Sequence, residues 1–245
     1  MEITLCHLYP ELMNLYGDRG NVIALLRRCQ WRGIRITIEP RTLGDDVDLS
    51  LYDIIFIGGG QDREQRLICS DFRFKKGASL KEAIESDCVV LAICGGYQLL
   101  GRAYITHEKE EIPGIGALDL VTYAGDRRMI GNVVIESRVE GLGGTIVGFE
   151  NHSGRTYLGD GLSPLGKVVR GHGNNGEDGM EGVAYRNTFG TYLHGSLLPK
   201  NPALTDHLIR LALFRKYGES EIKPLDDALE MAAHREAIRI AGEAS

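Results

Sequence analysis

Apolar runs and helix-like stretches alternate through the first hundred residues. Ile3-Thr4-Leu5-Cys6-His7-Leu8 predicts a short strand, and Asn21 to Arg28 predicts a helix with Asn21 in the capping position. Ile34 to Ile38 alternates with the period of a strand. Tyr52-Asp53-Ile54-Ile55-Phe56-Ile57 is a β-branched apolar run of the kind expected for a strand buried on both faces, and it ends in Gly58-Gly59-Gly60. A helical stretch from Ser79 to Ser86 leads to a second such run, Val89 to Ile93. Strand, helix, strand, helix at this spacing is the pattern of an open, mostly parallel α/β sheet with helices on both faces. After Gly114 the pattern becomes more strand-like, over 131–137, 145–149 and 182–186, with a glycine-rich loop at Gly171 to Gly176. Two helices, Ala203 to Tyr217 and Leu225 to Ala241, are predicted to close the chain. No internal repeat or low-complexity linker divides it, so residues 1–245 read as a single domain.

Composition narrows the class. The 245 residues are 43% hydrophobic and 25% charged, ordinary globular proportions. A net charge of -6 gives no electrostatic case for binding nucleic acid or an anionic membrane. The start, Met1 to Leu5, lacks the features of a signal peptide, and the longest apolar runs are too short to span a bilayer, so a cytoplasmic protein is expected. The five cysteines, Cys6, Cys29, Cys69, Cys88 and Cys94, are widely spaced and contain no Cys-x-x-Cys pair. Neither a disulfide framework nor a metal site is predicted from them, and most are expected to be small buried hydrophobes.

Cys94 stands apart. Val90-Leu91-Ala92-Ile93-Cys94-Gly95-Gly96-Tyr97-Gln98 places a thiol at a strand-to-helix turn with glycines directly after it. Such an elbow exposes sulfur at the carboxyl end of a sheet, and the glycines admit a strained backbone and a close substrate. A helix amino terminus favours the thiolate, and backbone N–H groups after the cysteine can receive an oxyanion. A buried cysteine ending a core strand is the plainer alternative, and the elbow argues against it. A thiol nucleophile needs a distant histidine as base. His194, following the strand-like Phe189 to Leu193, is favoured over His152 in Glu150-Asn151-His152-Ser153-Gly154; His172 lies in a glycine loop. The Gly58-Gly59-Gly60 turn fits neither Gly-x-Gly-x-x-Gly nor a phosphate-binding loop, which weakens a nucleotide-binding reading.

Ala92-Ile93-Cys94-Gly95-Gly96-Tyr97-Gln98-Leu99-Leu100-Gly101 resembles the nucleophile motif of class I glutamine amidotransferases, in the form of the cobyric acid synthase (CobB/CobQ) branch. Three further segments narrow the resemblance: Gly58 to Gln65, Phe149 to Thr156 and Thr191 to Pro202. Together they are similar to the glutaminase subunits of lipid II isoglutaminyl synthases, which amidate the stem-peptide D-glutamate of peptidoglycan precursors. The resemblance runs in order to about residue 202; the helices over 203–245 add little to it.

The resemblance implies a flavodoxin-like fold, with Cys94 as nucleophile and His194 as general base. It implies an oxyanion hole from backbone N–H groups of Gly59, Gly60 and Gly95, and Arg128 as the ligand of the glutamine α-carboxylate, a bidentate task suited to arginine. It implies no cofactor on this chain; ATP and magnesium are expected on a MurT-like, Mur-ligase-family partner in a heterodimer. One departure matters. Most class I glutaminases follow the histidine with proline and glutamate, whereas here the run is His194-Gly195-Ser196. A serine cannot supply the negative charge that stabilises an imidazolium, so either the dyad works alone and slowly or the third residue lies elsewhere. The resemblance implies that the partner supplies an acidic residue, so that activity is expected to depend on complex formation. Alternatives are a glutaminase for cobyrinate or pyridoxal phosphate synthesis, a cysteine peptidase on the same scaffold, and a non-catalytic binding module.

Overall fold

The computed structural model describes residues 1–219 and 221–243, with Tyr16 described by its backbone alone. In chain order the strands are β1 (Glu2–Leu8), β2 (Arg35–Arg41), β3 (Ile54–Ile57), β4 (Val89–Ile93), β5 (Ala103–Ile105), β6 (Glu111–Pro113), β7 (Leu120–Ser137), β8 (Thr145–Leu158), β9 (Gly166–Arg170), β10 (Met180–Glu181), β11 (Val183–Tyr185) and β12 (Thr188–Thr191). The α-helices are α1 (Arg19–Gln30), α2 (Asp62–Asp71), α3 (Gly77–Glu85), α4 (Gly95–Leu100), α5 (Pro202–Tyr217) and α6 (Ala228–Glu243). None of the described helices is long and apolar enough to cross a membrane.

One six-stranded sheet has the order β11-β12-β4-β3-β1-β2. Its strands from β12 to β2 run parallel, and β11 is an antiparallel edge. Every residue of β3 and β4 is buried, which is why both segments are continuous apolar runs. Register aligns the carboxyl ends: Leu8 pairs with Ile57, Ile57 with Ala92, and Ile93 with Thr191. The loops leaving β1, β3, β4 and β12 therefore emerge along one edge, where sites in such sheets form.

The strand-like second half forms a second sheet, β10-β9-β7-β5-β6, with β8 paired to β7. The long antiparallel β7–β8 ribbon dominates it. Only its 131–137 and 145–149 segments are legible as strands in the sequence, because β7 carries Gly125-Asp126-Arg127-Arg128 in its middle and β8 carries Asn151 to Arg155. The two sheets share one buried hydrophobic cluster, in which Leu5, Phe56 and Leu91 continue into Leu120, Ile135 and Ile146.

Helix boundaries differ from expectation in instructive ways. α1 begins two residues before Asn21, so Asn21 is not its cap. Its buried side chain instead accepts a hydrogen bond from Leu198 N–H at 2.8 Å, joining α1 to the segment after His194. α2, unforeseen in the sequence, starts with Gln61 and Glu64 in a reciprocal capping arrangement directly after the glycine turn. The last helix begins at Ala228 rather than Leu225.

α1 is tied to the C-terminal part by a nearly buried cation. Arg28 Nε and Nη2 donate to Asp206 at 2.6 and 2.7 Å, and Nη1 and Nη2 donate to Asp227 at 2.6 and 3.0 Å. Removing one partner from such a pair leaves uncompensated charge in the interior. Arg28→Ala is therefore expected to lower the unfolding free energy by about 3–5 kcal/mol in urea titration. A loss below about 1 kcal/mol would show the network to be merely superficial.

Candidate active site

Cys94 closes β4 in a conformation that L-residues rarely adopt, φ 48° and ψ -105°. Positions of this kind cost about 1–3 kcal/mol and persist where the surroundings over-determine them. Here the Cys94 N–H donates to Thr191 O at 2.8 Å, and its carbonyl accepts from Gln98 N–H at 2.9 Å. The elbow is thus fixed to β12 on one side and to α4 on the other. Cys94 is 7% exposed and opens into a cleft of about 770 Å³ lined by Gly60, Gln65, Gln98, Arg128, Asn151 and His152 among others.

β12 ends three residues before His194. The second sheet completes the placement: His194 N–H donates to Phe149 O at 2.7 Å and Phe149 N–H to His194 O at 3.3 Å, making an isolated bridge to β8. The imidazole is fully buried and interacts with Cys94. Burial pushes its proton affinity down, but the charge and hydrogen bond of Cys94, together with Asp18, outweigh burial and raise it above the ordinary histidine value. His152 is placed differently. It lines the cleft, stacks on Tyr192 at 3.6 Å, holds Gly154 O through Nδ1 at 2.8 Å, and has its pKa lowered by burial.

Asp18 was not singled out by the sequence. It follows the turn that leaves β1 and precedes α1, and both it and His194 have fully buried side chains, with Oδ1 3.7 Å from His194 Nδ1. Its other oxygen accepts the Gly59 N–H at 2.6 Å. The sequence left the third position to a carboxylate from a partner; the fold brings a carboxylate of the same chain to within 3.7 Å of His194 Nδ1. Ser196, which replaces the usual glutamate, turns to Gly17, donating its hydroxyl to Gly17 O at 2.8 Å. It packs so tightly on Gly20 that a Cβ there would lie 2.2 Å from Ser196 Oγ. Ser196 therefore clamps the loop that delivers Asp18. A signal was present in Tyr16-Gly17-Asp18-Arg19-Gly20: an acid between glycines, directly ahead of the first helix.

The glycine turn packs against these groups. A Cβ on Gly59 would sit 2.7 Å from His194 Cε1 and 3.4 Å from Cys94 Cβ. A Cβ on Gly95 would sit 2.9 Å from Gly60 N, so these two backbones are in contact. The Gly59 N–H, expected to face an oxyanion, donates to Asp18 in this structure. Arg128 reaches the cleft from the β7 strand, its guanidinium donating to Asn151 Oδ1 at 3.0 and 2.8 Å and to Asn151 O at 3.1 Å. From the cleft wall inward, a buried polar chain runs from Gln65 to Gln98 at 2.8 Å and from Gln98 to the Tyr192 hydroxyl at 3.0 Å.

Comparison with known proteins agrees with this geometry. A family model described as a CobB/CobQ-like glutamine amidotransferase domain matches residues 4–202. The chain belongs to that family. Among curated relatives of the amidotransferase, it is 45% identical over 237 residues to lipid II isoglutaminyl synthase (glutamine-hydrolyzing) subunit GatD of Staphylococcus aureus, covering 97% of this chain and 95% of that one. It is 45% identical to the same subunit from Streptococcus pneumoniae over 89% of this chain and 83% of that one. In fold it is similar to the PurLQS structure from Thermotoga maritima, with a TM-score of 0.62 at 18% identity over 87% of this chain and 98% of that one.

One buried acid lies behind the amidotransferase site. Glu181 Oε1 accepts from Thr191 Oγ1 at 2.6 Å and from Tyr192 N–H at 2.7 Å, bracing the strand whose carbonyl holds Cys94. Complete burial raises its pKa from 4.5 to about 7, against the lowering effect of these hydrogen bonds. Below pH 4.5 the group is protonated in both folded and unfolded chains. As pH rises toward 7 the unfolded chain ionises first, so the folded state loses stability, by about 3 kcal/mol for a shift of this size. Glu181→Gln is expected to remove that loss, so unfolding curves of the two proteins should diverge between pH 4.5 and about 7, the wild type falling relative to the variant. Parallel pH dependence would contradict the burial argument.

Proposed function

We propose that the chain is the glutamine-hydrolysing subunit of a lipid II isoglutaminyl synthase, and that Cys94, His194 and Asp18 carry the hydrolysis. The observation behind the chemical reading is the buried contact of His194 with Cys94 on one side and Asp18 on the other. The 45% identity to two GatD subunits over most of their length supports the physiological assignment.

In this mechanism His194 accepts the Cys94 proton and Cys94 Sγ attacks the carboxamide carbon of glutamine. The developing oxyanion is received by the amides of Gly60 and Gly95, the two glycines left after Asp18 takes the Gly59 N–H. His194 then protonates the departing nitrogen as the tetrahedral intermediate collapses, releasing ammonia and leaving a γ-glutamyl thioester. Water, deprotonated by His194, attacks the thioester carbonyl; glutamate leaves and the Cys94 thiol is restored. Asp18 holds the imidazole in the productive orientation and stabilises its protonated form. Arg128 receives the α-carboxylate of glutamine. Ammonia passes to a MurT-like synthetase, where ATP and magnesium drive amidation of the D-glutamate α-carboxyl; the acceptor and that partner's identity rest on the resemblance to GatD.

The test is reconstitution with a Mur-ligase-like partner, lipid II and ATP. Cys94→Ala is expected to abolish amidation with glutamine while leaving amidation with ammonium intact. Loss of both would sink the assignment of Cys94 to glutamine hydrolysis. A second arm separates Asp18 from a partner's acid. Because the carboxylate is in the chain, the isolated subunit should release ammonia from glutamine, and Asp18→Asn should slow it by about a hundredfold or more. An isolated chain that is inert until the partner is added would return the third position to the partner.

A further inference from the structure

The β7–β8 ribbon breaks register beside the cleft. Ala124 pairs with Gly154 and Met129 with His152, so Gly125, Asp126, Arg127 and Arg128 stand opposite Ser153 alone. Surplus residues in one strand bend it and re-aim its side chains. Here the bulge brings Gly125, Asp126 and Arg128 to the wall of the cleft that holds Cys94.

A bulge this large is held by something, and one side chain does it. Arg155 Nη2 donates to Arg127 O at 2.8 Å, while Nη1 donates to Ser153 O at 3.0 Å. The guanidinium lies against Gly125, where a Cβ would come 2.9 Å from Arg155 Cζ and 3.0 Å from Nε. One planar cation thus spans both strands at the break and shapes the loop directly before Arg128. Arg155 is absent from the residues lining the cleft, so any effect on a bound molecule is transmitted through the bulge. Arg128 is in turn fixed by Asn151 through its Nε and Nη2, and its Nη1 takes no part in those bonds. We infer that Arg155 is a positioning residue for glutamine specificity: by pinning the β7 bulge to β8 it sets Arg128 for the substrate α-carboxylate. The inference rests on the role proposed above for Arg128.

Lysine in place of Arg155 has the charge without the fork of donors that reaches both strands. The experiment compares glutamine with 4-aminobutanamide, which has the same carboxamide and amine but no α-carboxylate, on the assembled complex. Arg155→Ala is expected to raise KM for glutamine about tenfold with kcat changed by less than about threefold, and to leave kcat/KM for 4-aminobutanamide unchanged. Arg155→Lys should fall between, and the double variant Arg155→Ala/Arg128→Ala should be no worse on glutamine than Arg128→Ala alone. Ammonium-dependent amidation should be unaffected in each, confirming an intact complex. Equal losses on both substrates, or a loss carried by kcat, would mean that Arg155 only supports the fold and would overturn the inference. So would unchanged kinetics in Arg155→Ala when Arg128→Ala raises KM. If Arg128→Ala itself leaves KM for glutamine unaltered, the role given to Arg128 fails first.

Discussion

The contact between Asp18 and His194 lies where neither side chain reaches solvent. A carboxylate and an imidazole taken out of water each lose solvation, and only a charged or hydrogen-bonded neighbour offsets that loss. Most of the local structure can be traced to this requirement. Gly59 lacks a side chain because a Cβ would strike His194, and its N–H answers one oxygen of Asp18. Ser196 closes the other side by hydrogen-bonding to Gly17 and filling the space above Gly20. The imidazole is left between Asp18 and the Cys94 sulfur, and both hold its proton against the effect of burial.

Topology makes this convergence inexpensive. Four parallel strands end in register, so Asp18, the glycine turn, Cys94 and His194 all lie in the segments that leave the sheet along one edge. The antiparallel ribbon then adds what a parallel sheet alone does not offer. β8 fixes the backbone of His194 through Phe149, and the β7 bulge brings an arginine over the cleft. The strained Cys94 backbone is tied to Thr191, and Thr191 is braced in turn by Glu181, so the elbow is stabilised from within the core.

How much of this was legible in the sequence follows from the range of the interactions. The buried strands ending at Ile57 and Ile93 declare themselves by local composition, and the elbow at Cys94 by the glycines that its backbone and close packing demand. His194 could be favoured but not separated from His152 on pattern alone, because the difference between them is a spatial one: one touches Cys94, the other stacks on Tyr192. Asp18 escaped notice because its partner lies 176 positions away by residue number and because the usual glutamate was sought next to the histidine. Asn21 looked like a helix cap for the same reason, since the amide it satisfies belongs to Leu198. The hydrogen bond from the Gly59 N–H to Asp18 was equally invisible without Asp18 in place.

The site depends on Asp18 answering the charge of His194 within the isolated chain. The direct measurement is a histidine-selective NMR titration of His194 in the wild type and in Asp18→Asn, both without any partner. The account predicts that His194 in the wild type keeps its proton well above the ordinary histidine range, and that the asparagine variant releases it at clearly lower pH. Identical titration of His194 in the two proteins would contradict it.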